Sequence, residues 1–179
     1  MGGYKDLLIY RTAVTIFDFT NLFCNRWIEK RSRTFDQMIQ AARSGKQNIA
    51  EASKEVSTAS DMMLNSVSRS SYTELAEDYE DFLRLRELPI WKKTDPGVLR
   101  IRTFREVIDI PTNLPNLSNW TNLDFSMPEN FANLMLTLCH KQGYLMDQFL
   151  RAKEKIFVEK GGFKENLFRK RNAFKNKLV

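Results

Sequence analysis

Few side chains in this sequence could support acid–base or nucleophilic chemistry. His140 is the only histidine, so an imidazole base is available at one position alone. Cys139 precedes it, but adjacent residues on a helix point about 100° apart, so the two would not form a nucleophile–base pair. Cys24 is the second cysteine, and we expect both thiols to be reduced and buried. These residues argue against nucleophilic catalysis.

A cluster of carboxylates is the other chemically interesting feature. It could hold a cation or form a carboxylate-only active site. We favour a solvated helix face, with some carboxylates paired to Arg43, Lys46 or Arg69, because helical charge clusters are usually exposed. No second acidic cluster, Cys/His metal spacing or glycine-rich phosphate loop accompanies it. We therefore expect no metal, no cofactor and no enzyme activity. The cluster comprises Glu74, Glu77, Asp78, Glu80 and Asp81.

Positive charge is concentrated at the C-terminal end. The 179 residues have a formal net charge of +6. Residues 151–179 contain 10 basic and 3 acidic side chains, so the first 150 residues are close to neutral. Basic side chains neutralise phosphates without regard to sequence. We predict nucleic-acid binding, to RNA or DNA, at Lys160, Lys164, Arg169, Lys170, Arg171, Lys175 and Lys177.

The basic segment also contains apolar residues, which leave two interpretations open. Phe163, Phe168 and Phe174 could stack on unpaired bases. Alternatively, Phe163, Leu167, Phe174 and Leu178 recur at helical spacing, so the segment could be an amphipathic helix that docks on the rest of the chain.

The remaining sequence predicts an all-α fold of three helices, an insert, a fourth helix and a tail. All five prolines lie between residues 89 and 128, so helix breakers are absent elsewhere. The first expected helix runs from about Tyr4 to Arg31, and the second begins at a capping box formed by Thr34 and Gln37. The third runs from Thr58 or Ser60 to about Leu88. The fourth runs from a capping box at Ser126 and Glu129 through Phe157. We expect a helical domain at 1–157 with an irregular insert at 89–127, and a basic suffix at 158–179.

The insert supplies a different hypothesis for function. Asp95 and Pro96 predict the start of a short helix that ends near Ile108. Trp91, Trp120 and Phe125 then indicate a packed loop or a contact for a protein partner. In this alternative the protein is an interaction scaffold whose partner, such as a polymerase, binds the nucleic acid.

The first helix has more apolar surface than one bundle face needs. Its stripes cover roughly two-thirds of the circumference, whereas a rim helix needs an apolar arc of about 100°. A second subunit is the simplest cover for the excess. We therefore predict an oligomer interface at Ile16, Phe19, Phe23 and Trp27.

Residues 34–53 resemble a known family. Asp36-Gln37, Ala41-Ala42, Ser44 and Asn48-Ile49-Ala50-Glu51 match the four-helix-bundle proteins related to those encoded in 23S rRNA intervening sequences. The accessory protein of diversity-generating retroelements belongs to the same group. Supporting matches lie at Arg69, Ser71, Glu74 and Leu75, and Gly161-Gly162-Phe163 with Arg169-Lys170-Arg171 resembles the C-terminal suffix of a longer subgroup.

The resemblance implies an antiparallel up-down-up-down four-helix bundle that assembles into rings, often pentamers. It also implies no known catalysis, and binding to nucleic acid or to a reverse transcriptase.

Because the sequence has no signal-peptide pattern and no apolar run long enough to span a bilayer, we expect a cytoplasmic protein without membrane contact.

Four of the polar residues in the resemblance have a structural interpretation. Asn48, Glu51, Arg69 and Glu74 would lie where the second and third helices face each other. Partly buried polar groups need partners. We therefore expect these four to form an interhelical polar network that fixes helix register, rather than a binding site.

Overall fold

The computed structural model describes residues 3–104 and 113–176, and these residues form an all-α fold. A short 3-10 turn at Tyr4–Asp6 precedes the α-helices. The bounds of the helices are α1 Leu8–Trp27, α2 Arg33–Ala52, α3 Thr58–Leu85, α4 Pro96–Thr103, α5 Leu114–Thr121, α6 Pro128–Lys160 and α7 Phe163–Lys175.

The four long helices α1, α2, α3 and α6 pack around one core. α1 lies against α2 and α6, and α3 lies against the same two helices. Polar contacts tie the helices together inside the core. The Ser68 hydroxyl donates to the Gly45 carbonyl at 2.6 Å. The Gln142 amide donates to the Ile9 carbonyl at 2.8 Å, which joins α6 to α1.

α2 and α3 approach closely because Gly45 has no side chain. The Tyr72 ring occupies the space where a Cβ would project, and a Cβ built at Gly45 would lie 2.5 Å from that ring. Tyr72 itself is buried. Glycine costs about 1 kcal/mol in a helix relative to alanine, and at Gly45 this cost is offset by tight packing.

The insert folds onto α6. The Trp91 amide donates to Asn133 Oδ1 at 2.9 Å, and Asn133 Nδ2 donates to the Pro89 carbonyl at 2.9 Å. α4 begins at the expected Asp95–Pro96 pair, where the Asp95 carboxylate accepts from the Gly97 amide at 2.7 Å. α4 ends at Thr103 rather than near Ile108, which lies outside the described residues.

Two predicted capping boxes are wrong. α2 is capped two residues earlier than expected, by Ser32, whose hydroxyl accepts from the Phe35 amide at 3.1 Å. At α6 the cap is Met127, without a side-chain hydrogen bond. Ser126 instead turns back to Asp124, and Glu129 accepts a hydrogen bond from the Trp91 indole at 3.2 Å. At α6 the side chains of the expected capping box are therefore engaged elsewhere, Ser126 in a local turn and Glu129 in a contact with the insert.

The oligomer interface predicted on the first helix is corrected by the packing within one chain. Ile16, Phe19 and Phe23 are buried, with exposed fractions of 0%, 5% and 0%, and Trp27 is half-buried. Phe23 packs edge-on against Tyr79 of α3 and Phe131 of α6, and Trp27 also packs against Phe131. α3, α6 and the insert therefore cover most of the surplus apolar arc of α1, so Ile16, Phe19 and Phe23 are not available to a second subunit, whereas Trp27 remains partly exposed.

No helix in the described part of the chain is both long enough and apolar enough to cross a membrane.

Candidate nucleic-acid interface

α7 is a separate basic helix joined to α6 by two glycines. Gly161 ends α6 with a positive φ of 72°, a conformation that favours glycine. The Gly162 amide then donates to Glu165 Oε2 at 2.7 Å, which satisfies one of the free amides at the start of α7. Gly161 and Glu165 therefore fix the boundary between α6 and α7.

The basic side chains predicted to bind nucleic acid are solvent-exposed. Lys160 ends α6, and the others described lie on α7. Within residues 3–104 and 113–176, no ion pair or hydrogen bond engages these side chains. They are therefore free to neutralise an external polyanion. The described members are Lys160, Lys164, Arg169, Lys170, Arg171 and Lys175, and Lys177 lies outside the described residues.

The apolar side chains of α7 are exposed as well. Phe163, Leu167, Phe168 and Phe174 have exposed fractions of 49%, 55%, 65% and 65%. No residue of α7 is buried, so the helix does not dock on the described part of its own chain. Leu178, the last residue of the docking pattern, lies outside the described residues.

The expected polar network between the second and third helices does not form. Arg69 instead makes a two-point ion pair with Asp147 of α6, with Nη2 to Oδ2 at 3.1 Å. Asn48 donates to Ser44 one turn back on its own helix, at 3.4 Å. Glu51 and Glu74 are exposed. The ion pair therefore joins α3 to α6 rather than α3 to α2, and no spacing in the sequence pairs Arg69 with Asp147.

Four residues of the acidic cluster, all except Glu80, line a groove between α2 and α3. This groove has a volume of about 730 Å³, and its acidic residues are Asp36, Glu74, Glu77, Asp78 and Asp81, with Arg33 as its one basic residue. Asp81 pairs with Arg84 at 2.7 Å. The partners expected from the sequence lie elsewhere: Arg69 pairs with Asp147, and the Lys46 ammonium sits 3.8 Å from the centre of the Phe17 ring.

Negative charge in the groove is only partly compensated. Burial, together with the nearby carboxylates of Asp81, Glu74 and Glu77, raises the pKa of Asp78 to about 6. Among the described residues, no group of His, Cys, Asp and Glu side chains is arranged to hold a metal ion. The groove is therefore an acidic surface without the geometry of a metal centre.

The thiols and the histidine do not form a reactive pair. Cys24 and Cys139 are both buried and free. Burial raises the pKa of Cys24 to about 12 and raises that of Cys139 as well, so both remain protonated thiols at neutral pH. Burial, followed by the charge of Arg102, lowers the pKa of His140. His140 lines a groove beside Tyr144, and no hydrogen bond joins it to either thiol among the described residues.

All three aromatic residues proposed as a partner contact make contacts within the chain, and the Trp120 indole donates to the Arg100 carbonyl at 3.3 Å and packs against Phe104. Phe125 is buried at 2% exposure and lies near Phe131. Trp91 is half-buried and donates its indole N–H to Glu129. Trp120 is 57% exposed. The scaffold hypothesis thus retains one aromatic contact on this surface.

Comparison of the chain with protein-family models, curated proteins and solved structures gives no match.

Proposed function

We propose that this chain is a non-enzymatic protein that binds RNA or DNA through α7 and the adjacent Lys160. The observation that carries the proposal is the exposure of α7: its cations have no partner among the described residues, and its aromatic side chains face solvent. A helix that makes no core contact contributes little to the stability of the fold, so its composition is free to serve an external ligand.

Both classes of side chain on α7 suit single-stranded nucleic acid. Lysine and arginine neutralise phosphates and release counterions, and this term is independent of base sequence. Phe163, Phe168 and Phe174 can stack on exposed bases, at about 1 to 3 kcal/mol for each base. We expect tighter binding to single strands than to duplex, because bases within a duplex are not available for stacking.

The experiment compares the full chain with a matched pair of variants. The α7 variant carries Lys164→Gln, Lys170→Gln, Arg171→Gln and Lys175→Gln. The control carries Lys30→Gln, Arg31→Gln, Lys54→Gln and Lys92→Gln, all at exposed positions outside α7. Each variant loses four positive charges, so net charge alone cannot explain a difference in binding between the two variants.

Binding is measured by fluorescence anisotropy with labelled oligouridine of about 20 nucleotides. We expect the α7 variant to bind more than about tenfold more weakly than the unmodified chain at low salt, because four phosphate contacts are lost. The control should bind within about twofold. Equal weakening of both variants, or unchanged binding by the α7 variant, would refute the assignment to α7.

The proposal includes the architecture that the resemblance implies. We take α1, α2, α3 and α6 as an antiparallel up-down-up-down bundle. This is supported by the contacts of Arg69 with Asp147 and of Asp61 with Lys153, which run in opposite directions along α3 and α6. We further propose a homo-oligomer; a pentameric ring rests on the resemblance alone. Light scattering of the purified protein gives the number of subunits.

A further inference from the structure

The apolar residues of α7 form a stripe bordered by positive charge. Phe163, Leu167 and Phe174 occupy positions i, i+4 and i+11, which lie within about 40° of each other on a helix. By the same spacing Lys170 borders one side of the stripe and Arg171 the other. All five side chains are exposed. A stripe of this kind fits a groove that has small side chains at its floor and carboxylates along its walls.

The α2–α3 groove has that composition. Ala41, Ser44 and Ser71 are small and leave room for bulky side chains. The acidic walls are supplied mainly by α3, through Glu74, Glu77, Asp78 and Asp81, together with Asp36 of α2.

The groove and the stripe also match in length. Ser71 and Asp81 lie ten residues apart on α3, which corresponds to about 15 Å of helix, and Phe163 to Phe174 spans about 16 Å.

α7 cannot reach this groove in its own chain. Lys153 of α6 pairs with Asp61 near the start of α3, and α6 then continues for seven residues, or about 10 Å, away from the helical core. Ser71, the nearest groove residue on α3, lies about 15 Å from Asp61 in the opposite direction. Gly161 and Gly162 span at most about 7 Å, so the occupant must come from another molecule.

We propose that α7 of one copy docks through its apolar stripe in the α2–α3 groove of a second copy, with its lysines and arginines against the groove carboxylates. The two surfaces lie on different parts of the chain, so the contact is heterologous and generates a ring if it closes or a chain if it does not. The contact buries Phe163, Leu167 and Phe174 of the stripe and neutralises carboxylates of the groove.

Two variants of the full chain test the contact between α7 and the groove, because each variant disrupts only one of the two surfaces. The groove variant carries Glu74→Lys and Glu77→Lys, both exposed positions, and keeps a functional α7. The α7 variant carries Lys164→Gln, Lys170→Gln, Arg171→Gln and Lys175→Gln, and keeps a functional groove. Each protein is treated with nuclease and examined by size-exclusion chromatography with light scattering at about 50 mM salt.

We expect the unmodified chain to run as a multiple of 21.0 kDa, and each variant alone to run as a monomer. An equimolar mixture should form a heterodimer, because it contains one intact groove and one intact α7 for each pair of molecules. The proposal is overturned if either variant alone associates as strongly as the unmodified chain, or if the mixture remains monomeric while both variants keep the helical circular dichroism of the unmodified chain.

Nucleic acid and the groove would compete for the same cations, a consequence that rests on the proposed function. Oligouridine should then shift the unmodified assembly toward smaller particles. The two proposals fail separately: association is measured without nucleic acid, whereas the oligouridine binding of the α7 variant, relative to the control that loses four charges outside α7, reports on the proposed function. Retained RNA binding by a groove variant that still self-associates would leave the proposed function standing and remove the docking contact.

Discussion

At the scale of single residues, two glycines in long helices have opposite roles. A Cβ at Gly45 would lie 2.5 Å from the Tyr72 ring, whereas a Cβ at Gly143 meets nothing within 4 Å. At Gly143 the cost of glycine in a helix is therefore not offset by a close contact, whereas at Gly45 it is. The sequence alone does not separate these two glycines, because the packing of α2 against α3 is what places Tyr72 beside Gly45.

This difference predicts opposite effects of the same substitution. Gly143→Ala should stabilise the protein by about 0.5 to 1 kcal/mol through helix propensity. Gly45→Ala should destabilise it by about 1 to 3 kcal/mol, because overpacking against a buried ring outweighs the same gain. Urea denaturation followed by circular dichroism measures both. Stabilisation by Gly45→Ala would show that α2 and α3 are not held this closely.

Asp78 predicts a pH dependence of stability. Its pKa in the folded protein is about 6, above the value of about 3.9 for an unfolded chain. The folded state therefore binds more protons between these values, and this group lowers stability as pH rises from about 4 to about 6. Asp78→Asn should increase the free energy of unfolding by about 1 kcal/mol at pH 7.5, after a reduction for solvent screening.

The gain from Asp78→Asn should largely disappear near pH 4, where the carboxyl is protonated in the folded state and about half protonated in the unfolded state. Glu51→Gln is the control, because Glu51 is exposed and lies outside the groove, and it should change stability little at either pH. Thermal melts across this pH range provide the measurement. A gain at pH 4 equal to that at pH 7.5 would contradict the assignment to a carboxylate of raised pKa.

At the scale of elements, helical periodicity predicted the positions of the long helices well. It did not predict which side chains would cover their buried faces. The expected start of the third helix at Thr58 is confirmed, and the fourth helix does extend past Phe157. The helix α5, Leu114–Thr121, was not predicted, because eight residues are too few to show a period and the segment is rich in asparagine. Hydrophobic patterns identify which side of a helix is buried, but not what covers it.

Phe131 is the side chain that covers α1. It lies within aromatic contact distance of Phe19, Phe23, Trp27 and Phe125. Phe131→Ala should cost about 3 to 5 kcal/mol, because it leaves a cavity among these rings.

A conservative variant separates packing from other effects. Phe131→Leu retains most of the buried volume and should cost less than half as much as Phe131→Ala. Chemical denaturation at neutral pH measures both. If Phe131→Ala left stability unchanged and altered only the oligomeric state, the aromatic face of α1 would be an interface between subunits after all.

At the scale of the whole molecule, charge and fold are separated along the chain. The core helices bury the aromatic residues and carry little net charge, whereas α7 exposes both its cations and its aromatic residues. The sequence predicted this division from composition. It could not predict whether α7 would dock on its own chain, because an amphipathic helix has the same pattern in both cases.

The salt dependence of nucleic-acid binding tests the role of α7 most directly. We expect the five cations of α7 to contact the phosphates of a single strand. The logarithm of the binding constant, plotted against the logarithm of the salt concentration, should then have a slope of about −3 to −4. The α7 variant, with one of those cations left, should show a slope of about −1 or no measurable binding. Anisotropy titrations of oligouridine between about 50 and 300 mM salt give both slopes. Equal slopes for the unmodified chain and the α7 variant would contradict the assignment of nucleic-acid binding to α7.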